Sequence, residues 1–154
     1  MALRYDAIRM TKFLHIIKGL LVGDRVVIPK SGVRIIQHHG IYLGFSNSYH
    51  WFIENKDGIG VRVVKAEVFF SDVYEITRIV RFTPKSGYSR HDLYRYAMTK
   101  KGKPYHLVNY NCEHLANELQ YRVVRSKQAD TGVGFALFGL ALLLLGGLSG
   151  GKNK

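Results

Sequence analysis

HHGIYLGFSNSYHWFIE, His38 to Glu54, decides how this chain is read. It completes a longer run from Val33 to Gly44 that is rich in β-branched and aromatic residues and stops at glycine, the pattern of a strand. Phe45 to Ser48 is a turn, and Tyr49 to Glu54 returns as the second arm of a hairpin. Alternation puts His38, Gly40 and Tyr42 on one face and His39, Ile41 and Leu43 on the other. On the return arm His50 and Phe52 share a face, opposite Tyr49, Trp51 and Ile53. Such a hairpin can bring His38 and His50 to one side of adjacent strands, with Gly40 leaving room above the sheet for a helix to approach.

Outward from the hairpin, residues 11–21 have helical spacing, with Phe13, Ile16, Ile17 and Leu20 apolar. Residues 25–29, 59–70 and 74–82 read as further strands. Ser89 is placed to cap a helix that stops at Gly102, and Asn111 to cap a second one running to Val124. Strands come first and helices later, without alternation, so the expected fold class is α+β: a small antiparallel sheet packed on helices. The expected divisions are an N-terminal lead-in over 1–21, a domain over 22–128 and a C-terminal segment over 131–151.

Composition narrows the functional classes. The chain has 154 residues, enough for one domain, and 47% are hydrophobic, enough for a core. Its single cysteine makes no internal disulfide and fits a reducing compartment. A net charge of +12 favours anionic partners, either nucleic acid or a membrane face. No nucleic-acid motif of recognisable spacing accompanies that charge, so no specific nucleic-acid partner is expected. From Thr131 to Gly151 no residue is charged, a length close to the ~20 residues that span a bilayer. A single-pass C-terminal transmembrane helix holding the domain on the cytosolic side is expected, against the alternative of a buried terminal helix.

The lone thiol is Cys112, in YNCEHLANEL, Tyr110 to Leu119. With Asn111 as cap it falls in the first helical turn, where the helix dipole favours a thiolate. A nucleophilic thiol needs a base, usually histidine, and seven histidines are present. His38 and His50 on one face of the hairpin supply a base and a partner to orient it. A core cysteine and a zinc site built from Cys112, His114 and hairpin histidines remain alternatives, although structural zinc prefers more cysteines. His114 lies about 200° around the helix from Cys112 and should point away from it.

HHGIYLG and NCEHLANEL, in this order and with His50 twelve positions after His38, resemble the two boxes of the lecithin:retinol acyltransferase-like proteins. The nearest branch is the phospholipase A/acyltransferases, also called H-Ras-like suppressors, and the apolar C-terminus is similar to their tail anchor. The resemblance covers roughly Leu21 to the end. It implies a permuted papain-like fold of the NlpC type, with Cys112 as nucleophile, His38 as general base and His50 as its orienting partner. It implies cleavage of fatty acyl esters of glycerophospholipids through an acyl-cysteine intermediate. The acyl group then passes to water or to an amine or alcohol, with no metal and no cofactor. The sequence departs from the pattern at His39, where the family usually has an aromatic residue, and at Arg122, where glycine is frequent. A weakly active or inactive member serving as a membrane-associated regulator, including a viral-type homologue, is the alternative, and a cysteine peptidase or amidase is a further one.

Overall fold

The computed structural model describes residues 11–30 and 33–132. The expected C-terminal anchor lies outside them apart from Thr131 and Gly132. Among the described residues no helix is long and apolar enough to cross a membrane.

A helix over 11–18 (α1) leads into β1 (Arg25–Lys30), β2 (Val33–Ser46), β3 (Tyr49–Lys56) and β4 (Gly60–Lys65). Then follow α2 (Ala66–Phe69), β5 (Arg78–Val80), α3 (Arg90–Met98), α4 (Cys112–Tyr121) and a helical segment over 127–132 (α5). The strands form one antiparallel sheet in the order β4-β3-β2-β1-β5. The class is α+β, as the order of strands and helices in the sequence implies.

The β2–β3 hairpin closes on Asn47 and Ser48, both at positive φ, the two-residue turn that matches strand twist. Between Tyr42 and Gly44 the register shifts, leaving Leu43 as an extra residue on β2. Pairing therefore runs Phe45 to His50 beyond the bulge, but Tyr42 to Phe52 and Gly40 to Glu54 before it.

Both faces of the sheet are covered. On one, Phe13, Ile17 and Leu20 of the α1 region join Phe69 and Phe70 over Val26, Ile28, Tyr42 and Phe52. On the other, Leu93 and Ala97 of α3 with Leu115, Ala116 and Leu119 of α4 cover Ile41, Leu43 and Ile53. Full burial of a side chain such as Phe52 contributes about 1.5–3 kcal/mol.

Four expectations change in detail, the first being that α3 ends at Met98 with Thr99 as its C-cap, short of Gly102. The run 59–70 is not one strand: after Lys65 it coils into α2, burying Ala66, Phe69 and Phe70 while Val68 stays exposed. The strand expected over 74–82 contracts to Arg78–Val80, where β1 offers a pairing edge. Helix α4 ends three residues before Val124 because Arg122 turns left-handed at φ 62 and ψ 27, its guanidinium over the Tyr96 ring at 3.7 Å. The caps fall where the sequence put them: Ser89 with Asp92 closes a capping box on α3, and Asn111 caps α4.

Gly40 makes room, but not for a helix terminus. A Cβ at this position would lie 2.4 Å from the Phe69 ring, so the missing side chain is the space into which that ring sinks. Phe69 stacks on Phe52 at 4.7 Å and lies 5.8 Å from the His38 ring.

Candidate active site

Cys112 is the first residue of α4. Asn111 prepares its position: Asn111 Oδ1 accepts the N–H groups of Glu113 and His114, and its carbonyl accepts that of Leu115. Among the described residues, the Cys112 N–H is thus the first-turn donor without an acceptor. The Asn111 amide is itself held by the Leu107 carbonyl and Ser126 Oγ. The thiol is buried, with Sγ 3.7 Å from the Gln37 carbonyl oxygen on β2.

His38, the next residue on β2, is near enough to that thiol for Cys112 to favour its charged form. Its Nε2 is 2.5 Å from Glu54 Oε2, so Nδ1 is the ring nitrogen that the carboxylate does not engage. Glu54 in turn accepts from Arg62 Nε at 2.8 Å and Nη2 at 2.7 Å. Burial works against a charged His38, but Cys112 and Glu54 outweigh it and raise the imidazole to about 9. Burial also works against an ionised Glu54; the hydrogen bonds and charges of His38 and Arg62 prevail and hold it below the usual carboxylate range. The chain of contacts runs thiol, imidazole, carboxylate, guanidinium.

His50 is not part of it. Its Nδ1 bonds the Tyr42 hydroxyl at 2.7 Å, its ring sits 4.8 Å from Phe45, and it is only half-buried. The reason is register. His50 pairs with Phe45, seven residues along β2 from His38, which at about 3.3 Å per residue places it roughly 20 Å away. Glu54 takes the place beside His38 expected for His50. The signal was present, since Glu54 follows His50 and Phe52 at two-residue intervals on the same face of β3.

His39 points to the other face of β2. Its Nδ1 accepts from Arg25 Nε at 2.7 Å and also contacts Arg25 Nη2, while the Gln128 amide lies 3.2 Å from its Nε2. Burial first, then the charge of Arg25, pushes it down to about 2, so it is neutral and committed. His114 also serves structure: its Nδ1 accepts the Asn111 N–H and its ring stacks near Tyr110. No group of three or more histidine, cysteine, aspartate or glutamate side chains suited to a metal ion is gathered among the described residues.

Cys112, His38 and Glu54 open onto a cleft of about 920 Å³. Its lining joins apolar Ile28, Ile36, Val68, Phe69, Leu107 and Val108 with polar and charged groups, among them Tyr105, Lys30, Lys56, Asp57 and Lys127. Burial, and then the negative character of Cys112 and Asp57, push the Tyr105 phenol up to about 12, so it stays neutral and able to donate. Such a site can perform nucleophilic acyl transfer in an apolar channel: a thiol beside its base, an oriented base, and a backbone donor for a developing oxyanion.

Comparison with known proteins finds no matching family model and no matching curated protein.

Proposed function

We propose that this chain is a membrane-associated thiol phospholipase/acyltransferase acting on acyl esters of glycerophospholipids. The observation that carries the reading is Cys112 beside His38 and Glu54 at the end of an apolar cleft. The likeness of the two sequence boxes to lecithin:retinol acyltransferase-like proteins, and with it a permuted papain-like fold, supports the same reading.

In this mechanism the Cys112 thiolate, paired with His38 imidazolium, attacks the ester carbonyl carbon. The Cys112 N–H receives the oxyanion. As the tetrahedral adduct collapses, the ester C–O bond breaks and His38 gives its proton to the departing lysophospholipid oxygen. Water, an amine or an alcohol then attacks the thioester while His38 accepts its proton, and the thiolate leaves. Glu54 keeps the imidazole oriented and favours its charged form, and Arg62 holds Glu54. In this reading residues 131–151 anchor the chain to a membrane with the domain on the cytosolic side.

A peptidase or amidase would use the same groups, but the apolar cleft walls favour an acyl chain over a polar peptide. Incubation with phosphatidylcholine vesicles should release free fatty acid and lysolipid, with an acyl adduct on Cys112 by intact mass. No product from the wild type, or equal product from Cys112→Ala, would overturn the enzymatic reading and leave a non-catalytic, membrane-associated regulator.

A further inference from the structure

The mouth of the cleft has an unusual rim. Ile36 is 51% exposed, Val68 47%, Leu107 69% and Val108 50%, and all four line the cleft. They come from β2, α2 and the loop before α4, so the amphipathicity of one element does not account for them. Single exposed apolar residues are ordinary, whereas a convergent set at a cavity mouth marks an interaction site. Lys30, Lys56 and Lys127 line the same cleft, against Asp57, which pairs with Lys30 at 3.4 Å, and Asp72. Thr131 and Gly132 belong to it as well, and from that point to Gly151 the sequence carries no charge.

We propose that this rim is a docking face for a lipid bilayer carrying anionic headgroups. Ile36, Val68, Leu107 and Val108 enter the boundary between headgroups and acyl chains, and the lysines lie along the surface with their ammonium groups at the phosphates. Charge complementarity and the place where the uncharged run begins both select a bilayer over a second protein: a chain of net charge +12 is drawn to an anionic surface, and the run starts on the rim itself. The inference rests on the acyl-transfer reading of the cleft and adds the route of entry. An acyl chain passes from the bilayer to Cys112 between apolar walls without crossing water.

The test uses the full chain with Cys112→Ala and one new cysteine, Leu107→Cys or in a second variant Ile36→Cys, carrying an environment-sensitive fluorophore. Val123→Cys provides the reference, since Val123 is 52% exposed and lies past the far end of α4. Vesicles of phosphatidylcholine, with and without phosphatidylglycerol, carry a nitroxide either near the headgroup or deep in the acyl region. Docking predicts a blue shift at positions 107 and 36, larger with phosphatidylglycerol, and shallow-nitroxide quenching about twofold or more above that at 123, as insertion of about 5–10 Å requires. Quenching no greater than at 123 overturns the proposal. So does emission already shifted without vesicles and untouched by nitroxides, which would put residues 133–151 in the cleft. These reporters lack the nucleophile, so a failure of docking and a failure of lipid release are read separately.

Discussion

His38 and His39 are neighbours on one strand and have opposite fates. His38 faces a thiol and a carboxylate that favour its charged form, at the end of a cleft. His39 is buried from solvent and faces a buried guanidinium that disfavours that form. The side chains are chemically identical, and the two-residue period of the strand is all that separates them. The lesson is that a histidine's role is set by the charge it meets on its face. Arg25 reaches α4 through Asn117 and Glu113, so the His39 side is the scaffold that seats the helix bearing Cys112.

The largest expected effect follows from removing the reactive pair. Cys112→Ala should abolish lipid release and the acyl adduct, and His38→Ala should lower release per folded molecule about 10²–10⁴-fold, a loss well beyond its cost in stability. His39→Ala should do the reverse, costing about 1–3 kcal/mol in denaturant unfolding because Arg25 loses a buried acceptor, with a smaller effect on turnover per folded molecule. If His39→Ala proves the worse enzyme and the better folder, the base has been assigned to the wrong neighbour.

Next in size is Glu54→Gln. Without the carboxylate, the imidazolium–thiolate pair should weaken about tenfold for each unit lost from the His38 pKa. The alkaline limb of the pH–rate profile, set near pH 9 by His38, should move toward neutrality.

The pH dependence of stability sharpens the same contrast. His38 is raised above its unfolded value of about 6.5, so its contribution is complete below that pH and is lost as pH rises toward about 9. His39 is depressed, so its contribution is present above about 6.5 and is lost as pH falls. Unfolding measured across pH should show His38→Gln flattening the alkaline slope and His39→Gln the acid one; a shared slope would break the comparison.

The smallest effect is expected at His50. Loss of its bond to the Tyr42 hydroxyl should cost about 0.5–1.5 kcal/mol and leave turnover close to wild type. A drop of about a hundredfold or more would instead restore the thiol–histidine–histidine arrangement that the sequence resemblance implies.

Much of this was legible in the residues. Asn111 announces the helix that carries Cys112, and strand alternation alone separates His38 from His39. The third group was misread for a definable reason. His38 and His50 share a face, but a shared face does not fix register: the arms close on a tight Asn47–Ser48 turn with a bulge at Leu43, His50 pairs with Phe45, and the group that meets His38 is Glu54. The bulge does leave a mark, Gly44 at positive φ beside it, but a glycine there reads equally well as the end of the strand. Glu54 was also easy to pass over because a glutamate within a strand usually faces water, whereas here Arg62 on β4 sits directly across from it and supplies the compensating charge. The turn of α2 was legible in principle, since Ala66, Phe69 and Phe70 follow the three-and-four spacing of a helix. The β propensity of its valine and phenylalanines hid it.

Gly40 has a bearing on what the cleft admits. The ring of Phe69 is both a wall of the cleft and a neighbour of His38, and its depth is set by the side chain that position 40 lacks. Gly40→Ala would push that ring outward, narrowing the channel from behind its lining. The bore of the cleft is therefore gauged by one absent carbon, at a residue outside the cleft lining, and substitution there would resize the cleft without altering Cys112, His38 or Glu54.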